Sequence, residues 1–237
     1  MIASDQDIAL PPKLPRKSRN RPHVISFVGK GGTGKTTTGI QLGAIGKAAG
    51  HSVLILDADR QASMSSWTFV RGKGDISVRP CRPEQVLKSI SLAGHTGIDL
   101  VLVDNAPGQN ACSDQIIRAA DLTIVMTRPA LFDLQVALTW LDLVKRHRSR
   151  AGVVINEAPP LRSGMESPLV RNARAVLRDA AGPTWNGQIT RRHAVIDRTA
   201  LGCAVVEIEP EGPAAAEFRK LWVSIAKLFQ NGSDHEE

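Results

Sequence analysis

At 237 residues, 42% of them apolar, the chain is long enough to bury a sizeable core, and it reads most simply as one α/β domain. No run approaches the roughly 18–20 apolar residues of a membrane span, and the first residues lack the apolar centre of a signal peptide. Three scattered cysteines, Cys81, Cys112 and Cys203, fit a reducing cytoplasm rather than a disulfide framework. A net charge of +7 suits a polyanionic partner without naming one.

Residues 1–22 place Pro11, Pro12, Pro15 and Pro22 among Lys13, Arg16, Lys17, Arg19 and Arg21 with no apolar period. That composition predicts an extended, mobile basic tail, either a contact for DNA or a partner or a merely solvated extension. A single domain is expected over residues 23–230, and residues 231–237 form a short acidic tail. Within the domain, strands are predicted at Val24–Val28, Ser52–Asp57, Ile76–Arg79, Leu100–Asp104, Leu122–Thr127 and Gly152–Asn156. Helices are predicted at Lys35–Ala49, Ala62–Val70, Pro83–Ala93, Ala111–Ala120, Leu131–Arg148 and Pro168–Ala181. Near-continuous apolar strands alternating with helices imply a mostly parallel sheet covered on both faces.

The first strand runs into Gly29-Lys30-Gly31-Gly32-Thr33-Gly34-Lys35-Thr36, a full G-x-x-x-x-G-K-[ST] phosphate loop, and Thr37 follows it into the helix. Its glycines let backbone N–H groups converge on phosphate oxygens at a helix N-terminus. Lys35 adds a point charge and Thr36 a hydroxyl for Mg²⁺. The pattern implies a bound nucleoside triphosphate. Asp104 closes an apolar strand, where a cation or a helix cap must offset its desolvation. Asp57 and Asp59 sit together at another strand end, placed to hold a Mg²⁺ shell and to orient a water. Asn156 ends a later strand and suits either a base edge or a turn.

Several of these segments resemble the ParA/MinD family of partition ATPases. Lys30-Gly31-Gly32-Thr33-Gly34-Lys35-Thr36-Thr37 looks like its deviant Walker A box, and Asp57-Ala58-Asp59-Arg60-Gln61-Ala62-Ser63 resembles its switch I. Val101-Leu102-Val103-Asp104 resembles its Walker B strand, and Pro129-Ala130-Leu131-Phe132-Asp133 its P-x-x-x-D loop. Ile189-Thr190-Arg191-Arg192, with Gly202 to Glu207, is similar to its late I-x-x-R…G-x-x-V-x-E stretch. The likeness spans roughly 24–229 and is nearest to short ParF-like plasmid proteins. It implies a P-loop fold with ATP and Mg²⁺ as cofactors. It also implies a homodimer formed on ATP binding, in which Lys30 reaches the partner's nucleotide, with Asp59 positioning the hydrolytic water. Nonspecific DNA binding, a nucleoid-associated cytoplasmic location and stimulation by a ParB-like centromere-binding protein come with the same resemblance. Two segments depart from the pattern: Arg60 replaces the switch I proline, and Asn105-Ala106-Pro107 replaces the usual residues after Walker B.

Relatives within that superfamily compete. A membrane-positioning ATPase needs an amphipathic C-terminal helix, and Phe218, Leu221, Trp222, Ile225, Leu228 and Phe229 do share one face. A core-packed last helix explains the stripe better, and no stable membrane association is expected. An iron–sulfur reductase would use Cys81 and Cys112, which read as incidental, and a tyrosine autokinase is excluded because the chain has no Tyr. An ATP-locked dimer that positions a protein cargo stays open beside DNA partition. For DNA, Arg171, Arg174 and Arg178 line one face of the Pro168–Ala181 helix, and Arg191, Arg192 and Arg198 follow. This stripe is either a phosphate-binding surface or a solvated helix face.

Overall fold

The apolar runs become six strands, His23–Gly29 (β1), Val53–Ala58 (β2), Ser77–Pro80 (β3), Leu100–Asn105 (β4), Leu122–Thr127 (β5) and Ala151–Ile155 (β6). They come from a computed structural model that describes residues 10–15, 17, 21–180 and 182–233. The sheet order is β3-β2-β4-β1-β5-β6, and every neighbouring pair is parallel. Each residue of β1, β2, β4 and β5 is buried, which is why these strands show no polar alternation in sequence.

Nine helices are described: α1 Lys35–Ala48, α2 Ser63–Arg71, α3 Val86–His95, α4 Ala111–Ala119, α5 Leu131–Arg146, α6 Pro168–Asp179, α7 His193–Ala200, α8 Val205–Ile208 and α9 Pro213–Ser233. Against one face of the sheet, Ile25, Phe27, Ile55, Leu102, Ile124 and Val154 pack with α1 and α9. On the other, Val24, Leu54 and Val101 meet α3 and α4, while Val28, Val125 and Val153 meet α5 and α6. Helix α1 turns a glycine face to the sheet. A Cβ on Gly43 would lie 3.0 Å from Ile55 Cδ1, and one on Gly46 would lie 2.7 Å from Leu100 Cδ2. Side chains there would push the helix, and the phosphate loop at its start, off the sheet.

Some expected boundaries move for local reasons. Ala62 adopts φ 51 and caps α2 instead of opening it, and Pro83–Gln85 forms a separate 3-10 turn before α3. Helix α5 ends before Arg148, whose φ is 52, and Ala181, the expected end of α6, lies outside the described residues. The stripe on α9 is core: Phe218, Leu221, Trp222, Ile225 and Phe229 are buried, with Leu228 the half-exposed exception. Among the described residues no helix is long and apolar enough to cross a membrane.

The expectation of a mobile tail over 1–22 is corrected for residues 12–15 and 17; Leu10 is exposed, and residues 1–9, 16 and 18–20 lie outside the described residues. Leu14 is 3% exposed and belongs to the main core cluster. The Leu14 amide donates to His51 Nε2 at 3.0 Å, Trp222 Nε1 donates to the Pro12 carbonyl at 2.8 Å, and His23 Nε2 lies 2.6 Å from the Pro15 carbonyl. Lys13 donates to Gly50 O at 2.6 Å and Lys17 pairs with Asp121. Sequence periodicity was blind to this strap because one buried leucine between prolines makes no pattern. Burial lowers the pKa of both histidines, which keeps His51 neutral and able to accept. Leu14→Ala is expected to cost about 2–4 kcal/mol of stability, read as an earlier urea midpoint. Nucleotide affinity should be unchanged, because the strap lies at the opposite end of the strands from the phosphate loop.

Candidate functional site

The functional side chains gather at the carboxyl ends of β1, β2 and β4, the crevice where open parallel sheets take their ligands. Gly34 caps α1 in the left-handed region (φ 85), and Gly32 is also left-handed (φ 77), which bends the loop under the helix N-terminus. Gly29, with φ 145, passes so near Met126 O that a side chain has no room. Gly31 and Gly32 are exposed along the loop, while Thr33 is buried and its hydroxyl donates to Lys30 O at 2.8 Å. Thr37 sits half-buried in the first turn of α1.

Lys35 is 6% exposed, and its ammonium points back into the loop, 3.3 Å from both Gly29 O and Lys30 O. Burial lowers its pKa, with Asp104 and Asp59 acting the other way. A buried cation held only by two carbonyls is short of an anion, which a phosphate supplies.

Asp57 and Asp104 are direct partners in the β2–β4 register, and both are buried. Thr36 Oγ1 donates to Asp104 Oδ2 at 2.6 Å. Asp57 Oδ2 accepts from the Ser65 amide and hydroxyl, each at 3.0 Å, so the carboxylate also caps α2. The Oδ1 atoms of Asp57 and Asp104 are buried with no hydrogen-bond partner. Burial pushes Asp104 up to about 6, against the opposing pull of the Thr36 hydroxyl and Lys35. Two unbonded carboxylate oxygens beside a threonine hydroxyl fit Mg²⁺, a hard ion that takes few protein oxygens and completes its octahedron with water and phosphate. Among the described residues no cluster of three or more His, Cys, Asp or Glu side chains forms another metal cage.

Asp59 stands half-exposed at the mouth of this crevice, its Oδ1 accepting from Gln61 N at 3.0 Å. Asn105, one of the departures noted above, pins β4 to β1 by donating to Ser26 Oγ at 2.9 Å and Phe27 O at 3.0 Å.

Three expectations change. Lys30, expected to reach a partner's nucleotide, is held within its own chain: its ammonium lies 2.9 Å from Asp133 Oδ1, and Arg128 binds the other oxygen of the same carboxylate. Although burial opposes it, those two cations hold the Asp133 carboxyl below its usual range. Asn156 is buried, and its Nδ2 donates to Thr33 O at 2.8 Å, so the amide braces the phosphate loop and spends the donor that a base edge would need. The arginine stripe is largely occupied within the fold. Arg174 forms a fork to Glu166, with Nε 2.9 Å from both carboxylate oxygens, and donates further to Trp185 O at 2.7 Å and Gly187 O at 2.8 Å. Arg171 donates to Glu166 O, Arg192 pairs with Glu217 at 2.9 Å and Arg198 with Glu209 at 2.9 Å. Arg178 and Arg191 remain exposed.

One anchor escaped sequence reading. Arg71, at the end of α2, has a side chain 1% exposed and binds Glu207 at 2.5 Å, Asp75 at 2.7 Å and Gly202 O at 3.1 Å. Its guanidinium also lies 5.0 Å over the Trp67 ring. The Glu207 hydrogen bonds raise the Arg71 pKa, and Arg71 holds Asp75 down. Helix α2 is thus fixed at one end by Asp57 and at the other by α8.

This constellation on this sheet defines a P-loop nucleotide-binding α/β protein. Residues 24–202 match the CobQ/CobB/MinD/ParA nucleotide binding domain. The chain belongs to that family and is an ATPase of the ParA/MinD class. A maintenance of carboxysome distribution protein A from Gloeobacter kilaueensis is 37% identical over 126 residues, 51% of this chain and 56% of that protein. The chain therefore spans little more than half the length of that curated relative. The chromosome-partitioning ATPase Soj of Thermus thermophilus is 24% identical over 81% of this chain and 90% of its own. In fold, the structure of apo McdA from Cyanthece matches with a TM-score of 0.72 at 16% identity, covering 87% of this chain and 99% of that one.

Because Asp104 binds its proton more tightly folded than unfolded, its contribution to stability is fully present below pH 4 and is lost as pH rises through about 6. A raise of about two units corresponds to roughly 3 kcal/mol at most. Without nucleotide or Mg²⁺, Asp104→Asn should therefore be more stable than the parent at pH 8 and no more stable at pH 4. Urea unfolding at the two pH values reads the difference.

Proposed function

We propose that this chain is a MgATP-driven dimerising ATPase that binds DNA without sequence preference and moves a DNA cargo, plasmid or chromosome. In this reading ATP closes a homodimer, hydrolysis is slow, and a ParB-like centromere-binding partner accelerates it. The observation that carries the reading is the convergence of Lys35 and Thr36 of the phosphate loop with the buried pair Asp57 and Asp104, whose Oδ1 atoms are unbonded. Lys35 and the helix N-terminus hold the β- and γ-phosphates, while Thr36, Asp57 and Asp104 would hold Mg²⁺, which neutralises charge developing on the transferred phosphoryl group. Asp59, free of the metal-side hydrogen bonds, is the acceptor that orients the attacking water.

Lys30 takes the dimer role. In the resting chain Asp133 holds it, and a triphosphate on a second subunit competes for the same ammonium with higher charge. The net charge of +7 and the likeness to Soj support a nucleoid-bound, cytoplasmic protein. A second reading, in which the cargo is a protein assembly rather than DNA, is favoured by the 37% identity to the carboxysome distribution protein. A stable membrane association has little to draw on, since the apolar stripe of α9 is used by the core.

Lys35→Ala is expected to abolish binding of a labelled ATP analogue. Lys30→Ala should still bind ATP as a monomer yet fail to dimerise in light scattering. Asp59→Ala should bind MgATP and turn over about a hundredfold more slowly. Normal ATP-dependent dimers from Lys30→Ala would sink the trans role, and undiminished turnover of Asp59→Ala would move the water-orienting role to another residue.

A further inference from the structure

Besides the exposed Arg178 and Arg191, the fold leaves a group of three arginines unpaired beside switch I. Arg60, Arg79 and Arg82 are all exposed, and none of their side chains has a hydrogen-bond or ion-pair partner among the described residues. Arg60 and Arg82 both line an open cleft at the ends of β2 and β3, between switch I and the turn that starts at Pro83. Arg79 lies on β3, the outer strand of the sheet, paired in register with Leu56, one residue before the Pro80 that lines the cleft. The two walls are fastened together, because the Cys81 amide donates to Asp57 O at 2.8 Å.

The cleft also carries three acids, of which one is turned away from it. Asp57 is buried and turned to the nucleotide site, and Asp59 is folded into its own turn with Gln61. Glu84 is left as the exposed carboxylate of the lining. The unpaired guanidiniums of Arg60 and Arg82 on this lining, with that of Arg79 on the adjoining strand, are free to take an anion. The rest of the lining is proline, alanine, Cys81, Gln85 and backbone, with no large apolar side chain to seat a protein helix. Guanidiniums bind phosphate oxygens through paired N–H groups, and a duplex presents such oxygens in a regular row.

We infer that the rim formed by Arg60, Arg79 and Arg82 is a contact surface for the phosphodiester backbone of DNA. This rests on the reading that the chain binds DNA, and it moves the contact away from the α6 stripe. It also places the contact against the nucleotide site. Arg60 directly follows Asp59, on the loop that runs from Asp57 to the α2 cap at Ala62, so whatever orders that loop around MgATP also fixes one of the three cations. Arg79 and Arg82 are held by β3 and its turn in either state.

The test is a salt titration of binding to a short random-sequence duplex, with ATP and Mg²⁺, of the parent, of Arg79→Gln/Arg82→Gln and of Arg178→Gln/Arg191→Gln. Thermal melts and ATP binding check that each variant is folded. The rim variant should lose affinity about tenfold or more, and its slope of log affinity against log salt should flatten by about 0.9 per cation removed, or about 1.8 for each rim that touches the duplex. Its ATPase activity without DNA should match the parent, and the α6-side variant should bind like the parent. A rim variant with parental affinity and slope overturns the inference while leaving DNA binding intact. A parent that binds no DNA at low salt overturns the DNA-binding reading as well. Binding of the parent to anionic phosphatidylserine vesicles, lost in the rim variant and with no DNA binding, would assign the rim to lipid headgroups and overturn it too.

Discussion

Two carboxylates that face each other across β2 and β4, each with one oxygen buried and unbonded, set the terms for everything around them. Such a pair is costly in a folded chain unless a cation or a proton arrives. Asp104 shows that cost in a pKa pushed up to about 6. Lys35 carries the mirror-image cost, a buried ammonium held by two carbonyls. One ligand, a metal-bound polyphosphate, relieves both deficits at once. The glycine face of α1 follows from the same need, since the helix must lie close to the sheet for its N-terminus to reach the carboxylate ends of β2 and β4.

From that pair the structure extends in two directions. Asp57 uses its second oxygen to cap α2, whose far end is locked to α8 by the Arg71–Glu207 fork, so the state of the nucleotide site bears on a helix held at both ends. On the other side, Asp133 collects Lys30 and Arg128 at the start of α5. Both arrangements are ion pairs with little exposure at one partner, where removing one member leaves a stranded charge. They are therefore settings that can be exchanged for a competing anion, and they resist simple loss.

Much of this was legible in the sequence, and the parts that were not share a cause. The six strands and the helices α1 to α6 follow from uninterrupted apolar runs, loop glycines and helical periods, which are local signals. The phosphate loop and its two carboxylates were found because strand-end positions fix where such residues project. The pairing of Lys30 with Asp133, of Arg71 with Glu207 and of Arg174 with Glu166 depends on which segments meet in space, and no spacing within one segment encodes it. The same limit made the arginine row of α6 look like a free surface, when Arg174 is in fact the clasp that holds residues 166 and 185–187 together. The short helices α7 and α8 were missed because eight and four residues carry too little period.

The strap at residues 10–15 has a bearing on how the molecule is made. Its leucine enters a core that also contains Trp222 and Phe229 of α9, and the Pro12 carbonyl is held by the Trp222 indole. Near the strap, the His23 ring stands edge-on to Phe229 at 4.7 Å. During synthesis the opening segment of the chain thus leaves the ribosome some two hundred residues before its binding surface exists. The nucleotide crevice, built from β1, β2 and β4, can assemble while translation continues, whereas the closing seam waits for the final helix. Early in synthesis the half-built sheet therefore exposes the apolar face that α9 will cover, and that interval is when the nascent protein is most open to aggregation or to chaperone capture.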